Sequence, residues 1–153
     1  MRNKQFIAEH RGGPVTKEQH RQLMKWACDC SIHVLFLLDI QIDHRLINAL
    51  SVATKWKEGN ASTGEARKAA VEAHSAAREF SNPVSVAVAR SVGHAVATAH
   101  MADHSTGGAD FALKAINFSG KSVEDDRRSQ DEQLPSEIRE LVLSAREKRH
   151  LKI

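Results

Sequence analysis

Between Phe80 and Ala102 the chain carries a single formal charge, Arg90, in a run built mainly of Ala, Val and Ser. The run is too long for one strand, which rarely passes ~10 residues. Val84, Val86 and Val88 alternate with small residues, so a strand is an alternative at its start; the Ala-rich continuation to Ala102 favours a helix. Asn82 followed by Pro83 reads as an N-cap and first helical residue. The length could cross a bilayer, but His94 and His100 lie inside and the composition is Ala and Ser rather than Leu and Ile. A buried helix of a water-soluble bundle is the expectation, with no membrane partner.

The punctuation elsewhere is helical too. Thr16 and Gln19, and again Ser62 and Glu65, have capping-box spacing. Leu23, Ala27, Cys30, Val34 and Leu37 then recur on one face of a first helix. Asp43 caps a second helix that stops at Gly59. Ala66, Ala69, Ala70, Ala73 and Ala77 form a narrow stripe on a third, which is expected to pack directly on the uncharged helix through Ala89, Gly93 and Ala97. Asp103 or Ser105 restarts the chain after that helix, with a kink or short break expected at Gly107-Gly108, and Gly120 ends the segment. Ser122 opens a charged helix, and Leu134-Pro135-Ser136 introduces the last, with Ile138, Leu141, Val142 and Ala145 inward. The fold class is all-α: a single-domain bundle of about seven helices with Ala/Gly-rich, close-packed central helices.

A chain of 153 residues suits one core. That domain is expected over residues 16–153, preceded by a basic N-terminal arm at 1–15. The net charge of +3 comes from residues 1–25, where Arg2, Lys4, Arg11, Lys17, Arg21 and Lys25 outnumber two acidic side chains. Phe6 is the only aromatic before Trp26, so a solvated leader is expected rather than a nucleic-acid groove. No apolar segment follows Arg2 and Lys4 as a secretory signal would require. Cys28 and Cys30, about 200° apart on a helix, are expected as reduced, buried thiols of a cytoplasmic protein.

Nine histidines are the compositional anomaly. His74, His94, His100 and His104 fall in or beside the central helices, and His100 and His104 have the i,i+4 spacing that aligns two rings on a continuous helix. They are the candidate metal ligands. Met101 stands where the zinc-protease pattern needs Glu, and two ligands do not close a structural zinc site. The expectation is therefore a hydrogen-bonded network of Arg90, His94, His100 and His104 inside the bundle. His100 should be largely buried, and Arg90 paired with a carbonyl or with a carboxylate among Asp103, Asp110, Glu65, Glu72 and Glu79. Nucleophile elbows, phosphate loops and dinucleotide fingerprints are missing from the sequence, so no catalytic residue and no cofactor is expected.

Several segments together resemble a known group: Trp26-Ala27 with Cys28 to Cys30; Glu65-Ala66-Arg67 with Ala73-His74-Ser75-Ala76-Ala77-Arg78; and Ala89-Arg90 through Gly93-His94-Ala95 to Thr98-Ala99-His100. His104 with Ala112-Leu113-Lys114-Ala115, and Leu134-Pro135-Ser136-Glu137-Ile138-Arg139, continue it. The chain over roughly 20–148 resembles the immunity-protein-five-like family of bacterial polymorphic toxin systems. It departs from that pattern near Ser129, where an aromatic is usual, and at Phe111, which takes part of such a place. The resemblance implies a non-catalytic protein that binds and neutralises a cognate toxin. A basic nuclease is not the obvious partner for a chain of this charge. The alternative from another class is a small metal- or ligand-binding helical enzyme using the central histidines. A homodimer is also expected, because Val34-Leu35-Phe36-Leu37-Leu38 would be apolar all round a helix.

Overall fold

The computed structural model describes residues 3–38 and 41–151, and side chains to 149; Arg2, counted above in the basic arm, lies outside them. Among the described residues there are seven α-helices: α1 Lys17–His33, α2 His44–Lys57, α3 Thr63–Glu79, α4 Pro83–Ala97, α5 His104–Phe118, α6 Val123–Glu132 and α7 Ser136–Leu151. They form an all-α bundle. Its axis is α4, which packs on α1, α2, α3 and α5, as the uncharged sequence requires.

The caps are local chemistry and form as the sequence dictates. Thr16 Oγ1 accepts from Gln19 N while Gln19 Oε1 accepts from Thr16 N; Ser62 and Glu65 repeat the reciprocal pair. Asp43 accepts from Arg45 N, and Asn82 from Val84 N with Pro83 in the first turn. Gly59 and Gly120 take positive φ where α2 and α5 end. Ser122 holds the N-cap position of α6, but its side chain makes no capping bond.

Every buried residue of α3 is alanine, and this face lies on α4. Small faces let helices approach near the short end of the usual ~8–10 Å range. On the other side of α4, a Cβ placed on Gly108 of α5 would lie 3.0–3.1 Å from Ala95 N, Cα and Cβ. Gly107-Gly108 therefore makes no kink: α5 runs unbroken through it, and Gly108 is the point of backbone approach. Ser91 Oγ donates to Gly108 O at 2.7 Å and lies 2.8 Å from Ser31 Oγ, whose hydrogen is shared between Ser91 Oγ and Ala27 O at 3.3 Å. A short buried chain of hydroxyls thus joins α1, α4 and α5.

Three expectations are corrected. The first helix stops at His33, and Leu35–Leu37 form a 3-10 turn that packs on α4. Val34 is buried there while Phe36 is 61% exposed, so no all-round apolar helix exists at 34–38. The uncharged helix ends at Ala97, short of the expected Ala102, so a longer turn precedes the expected restart into α5. His20 Nε2 meets Thr98 O at 2.5 Å, holding that turn to α1. The basic leader is also packed rather than solvated: Phe6 and Val15 are core residues, and the Ala8–Val15 bridge closes the segment with Gly13 against Ile7.

Candidate functional site

The break after Ala97 removes the shared helical face of His100 and His104, yet the turn brings their rings back to 5.6 Å between centroids. His104 then sits at the first residue of α5 and points to α4, where its Nδ1 lies 3.1 Å from His94 Nδ1. Two nitrogens at that distance need one hydrogen between them. One ring is the Nδ1–H tautomer and the other offers the lone pair. His94 stacks on Phe111 at 5.0 Å and 13°, and meets His74 edge-on at 5.0 Å.

Among the described residues Arg90 reaches no carboxylate. Its guanidinium donates to His74 Nδ1 at 2.8 Å, which assigns the His74 lone pair to Nδ1. An imidazole thus stands where a carbonyl or carboxylate was expected: Arg90 is only half-buried, so water screens the charge that a dry site would force into an ion pair. The expected network is divided into two bonded pairs, Arg90–His74 and His94–His104. His100 is half-buried rather than enclosed, and its Nδ1, itself buried, has no partner among the described residues.

Desolvation is the main influence on all four rings. It pushes His74 and His94 from 6.5 down to about 4, with Arg90 adding to the effect at His74 and the neighbouring histidines at His94. His100 and His104 are also lowered, opposed at both by Asp103. Such imidazoles are neutral at pH 7 and weak as bases, whereas a general base works best with a pKa near the operating pH. No group of three or more His, Cys, Asp or Glu among the described residues is arranged to hold a metal ion. Cys28 and Cys30 are free, buried and pushed up to about 12 by desolvation, which makes them poor nucleophiles.

Sequence reasoning left out two polar centres. Arg146, with its side chain only 6% exposed, donates to Asp131 Oδ1 at 2.7 Å and Gln130 Oε1 at 2.6 Å and lies over Trp26 at 5.2 Å. Trp26 Nε1 donates in turn to Gln130 O, and Gln130 Nε2 to Ala109 O. The signal was present: position 146 continues the inward stripe of Ile138 and Val142. The second is His20, one turn before Leu23 on the buried face of α1, against the Trp56 ring at 4.9 Å.

A family model described as Imm-5 like putative immunity protein matches residues 13–137. Comparison with curated proteins and with solved structures gives no match. Among the described residues no helix is long and apolar enough to cross a membrane.

Proposed function

Since the chain belongs to the Imm-5 like immunity protein family, we propose that it binds a cognate bacterial toxin in the cytoplasm and neutralises it by covering its active surface, without catalysis. The family match over 13–137 carries the reading. The state of the central polar groups is consistent with it: desolvation keeps His74 and His94 neutral and weakly basic, and the buried thiols Cys28 and Cys30 protonated. Free Cys28 and Cys30 suit a reducing compartment. Co-expression with the product of the neighbouring open reading frame, followed by pull-down and a growth-rescue assay, tests it. A stable complex that restores growth is expected; a toxic neighbour that neither binds nor is silenced by this protein refutes it.

The metal- or ligand-binding alternative rests on the unpartnered His100 Nδ1 beside His104. Metal analysis of protein purified without a histidine tag separates the two readings. Self-association is the remaining part of the proposal. Its support is now Ile32, Phe36 and Phe118, each at least half exposed, and light scattering at tens of micromolar decides between monomer and dimer.

A further inference from the structure

Outside the histidine cluster, a cavity of about 470 Å³ opens between the N-terminal segment, the first turns of α1 and the α2–α3 connection. That volume is within the range of small-molecule pockets. His20 is part of its lining and is 8% exposed. The Thr98 carbonyl can only accept, so the hydrogen of the neutral His20 ring is on Nε2 and Nδ1 keeps its lone pair. Nδ1 has no hydrogen-bond partner among the described residues, and it is not one of the fully enclosed polar atoms left unpaired there. Burial lowers the pKa of His20, so the ring presents an acceptor at neutral pH.

The charged side chains of the lining are net positive. His10, Lys17 and Arg21 contribute positive or protonatable groups, and neither Lys17 nor Arg21 is in an ion pair among the described residues. Glu9 is the one carboxylate in the lining, and its Oε1 already accepts from Lys17 N at 3.2 Å. Trp56 forms an apolar wall whose Nε1 is spent on Thr63 Oγ1.

We propose that this cavity binds a small aromatic anion bearing an N–H or O–H donor. The donor meets His20 Nδ1, the ring lies along Trp56, and the anionic group faces Arg21 and Lys17. A site of this kind is separate from toxin binding and stands or falls without it. The probes are indoleacetate, hydroxyphenylacetate and adenosine monophosphate, with phenylacetate as a donor-free control and tryptamine as a cationic one. Ligand-observed NMR and tryptophan fluorescence follow the titrations. At least one donor-bearing acid is expected to bind with Kd below about 1 mM. Arg21→Glu, at a position on the cavity rim, should weaken it by about tenfold or more. His20→Gln, whose amide can still donate to Thr98, should weaken it comparably; if that variant does not fold, the Arg21→Glu arm decides. Silence from all three acids at several millimolar overturns the proposal. So does binding that survives Arg21→Glu, or tryptamine or phenylacetate binding as tightly as the acids.

Discussion

Gly93→Ala isolates the meaning of the small residues in α4. In an open helix interior the substitution should stabilise by roughly 1 kcal/mol, because Gly is that much poorer than Ala. Here the new Cβ would stand 2.6 Å from Cε1 and Nε2 of the His74 ring and 2.8 Å from Cδ2. The ring must retreat by most of an ångström, which strains the 2.8 Å bond from Arg90 and the edge contact with His94. Overpacking of this kind costs about 1–3 kcal/mol, so the net change is expected between roughly zero and 2 kcal/mol of destabilisation. In a His74→Ala background the obstacle is gone, and the same substitution should stabilise by about 0.5–1 kcal/mol. Urea unfolding followed by far-UV circular dichroism measures all four corners of the cycle. A reversal of sign between the two backgrounds is expected. If Gly93→Ala stabilises equally in both, the glycine is not there to seat the imidazole. Gly108→Ala is the contrast: its obstruction is the backbone of Ala95, which cannot rotate away, so no single side-chain deletion should rescue it.

The histidines make stability pH-dependent with a definite sign. Their folded pKa values lie below the unfolded 6.5, so the unfolded chain binds more protons and stability, full above pH 6.5, is lost as pH falls toward 4. For His74 and His94 together the loss should be roughly 2–4 kcal/mol after allowing for solvent screening of half-exposed rings; denaturant midpoints between pH 7 and 4 that do not shift would contradict it. Arg146→Ala should destabilise by about 2–4 kcal/mol, since it strips Gln130 Oε1 and Asp131 of their donor and removes packing from Trp26. His100→Ala should cost less than about 1 kcal/mol, because the ring is half-buried and no bonded partner is orphaned; a loss of several kcal/mol in urea titration would reveal a partner. Cys28 and Cys30 should not react with a thiol reagent in native protein and should titrate fully on unfolding.

What was legible in the sequence is what short-range chemistry decides. Capping boxes, Asn82-Pro83, and the positive-φ glycines after α2 and α5 need only neighbours within four residues, and each formed where its spacing placed it. The restart at Asp103 was legible, but the early end of α4 at Ala97 was not, because Thr98-Ala99-His100-Met101-Ala102 contains no breaker. A distant partner, His20, holds Thr98 O instead. The glycine pair of α5 was ambiguous for the opposite reason: the same residues that permit a kink also permit close approach, and only the position of Ala95 decides. At the candidate site the participants were legible in part. His94 and His104 do bond, but the choice of His74 for Arg90 depends on the rotation of α3 about α4, which one helix's pattern cannot reveal.

That rotation also explains the run that carries the family resemblance. Gly93 leaves the hollow on α4 that receives the His74 ring from α3. The next residue, His94, projects to the other neighbour, where a Cβ on Gly107 of α5 would come within 3.2 Å of its Nδ1. Two imidazoles are thus set into two glycine hollows across three consecutive helices, each ring desolvated and neutral. The Gly93-His94 step works as a packing joint, and its histidines are held by what the joint needs: small residues opposite, a donor from Arg90, and one shared hydrogen with His104. Substitutions within it should act first on stability and on the spacing of α3, α4 and α5. Under the proposed toxin neutralisation, a loss at His94 or Gly93 would therefore count as evidence for a contact surface only where the unfolding midpoint is unchanged.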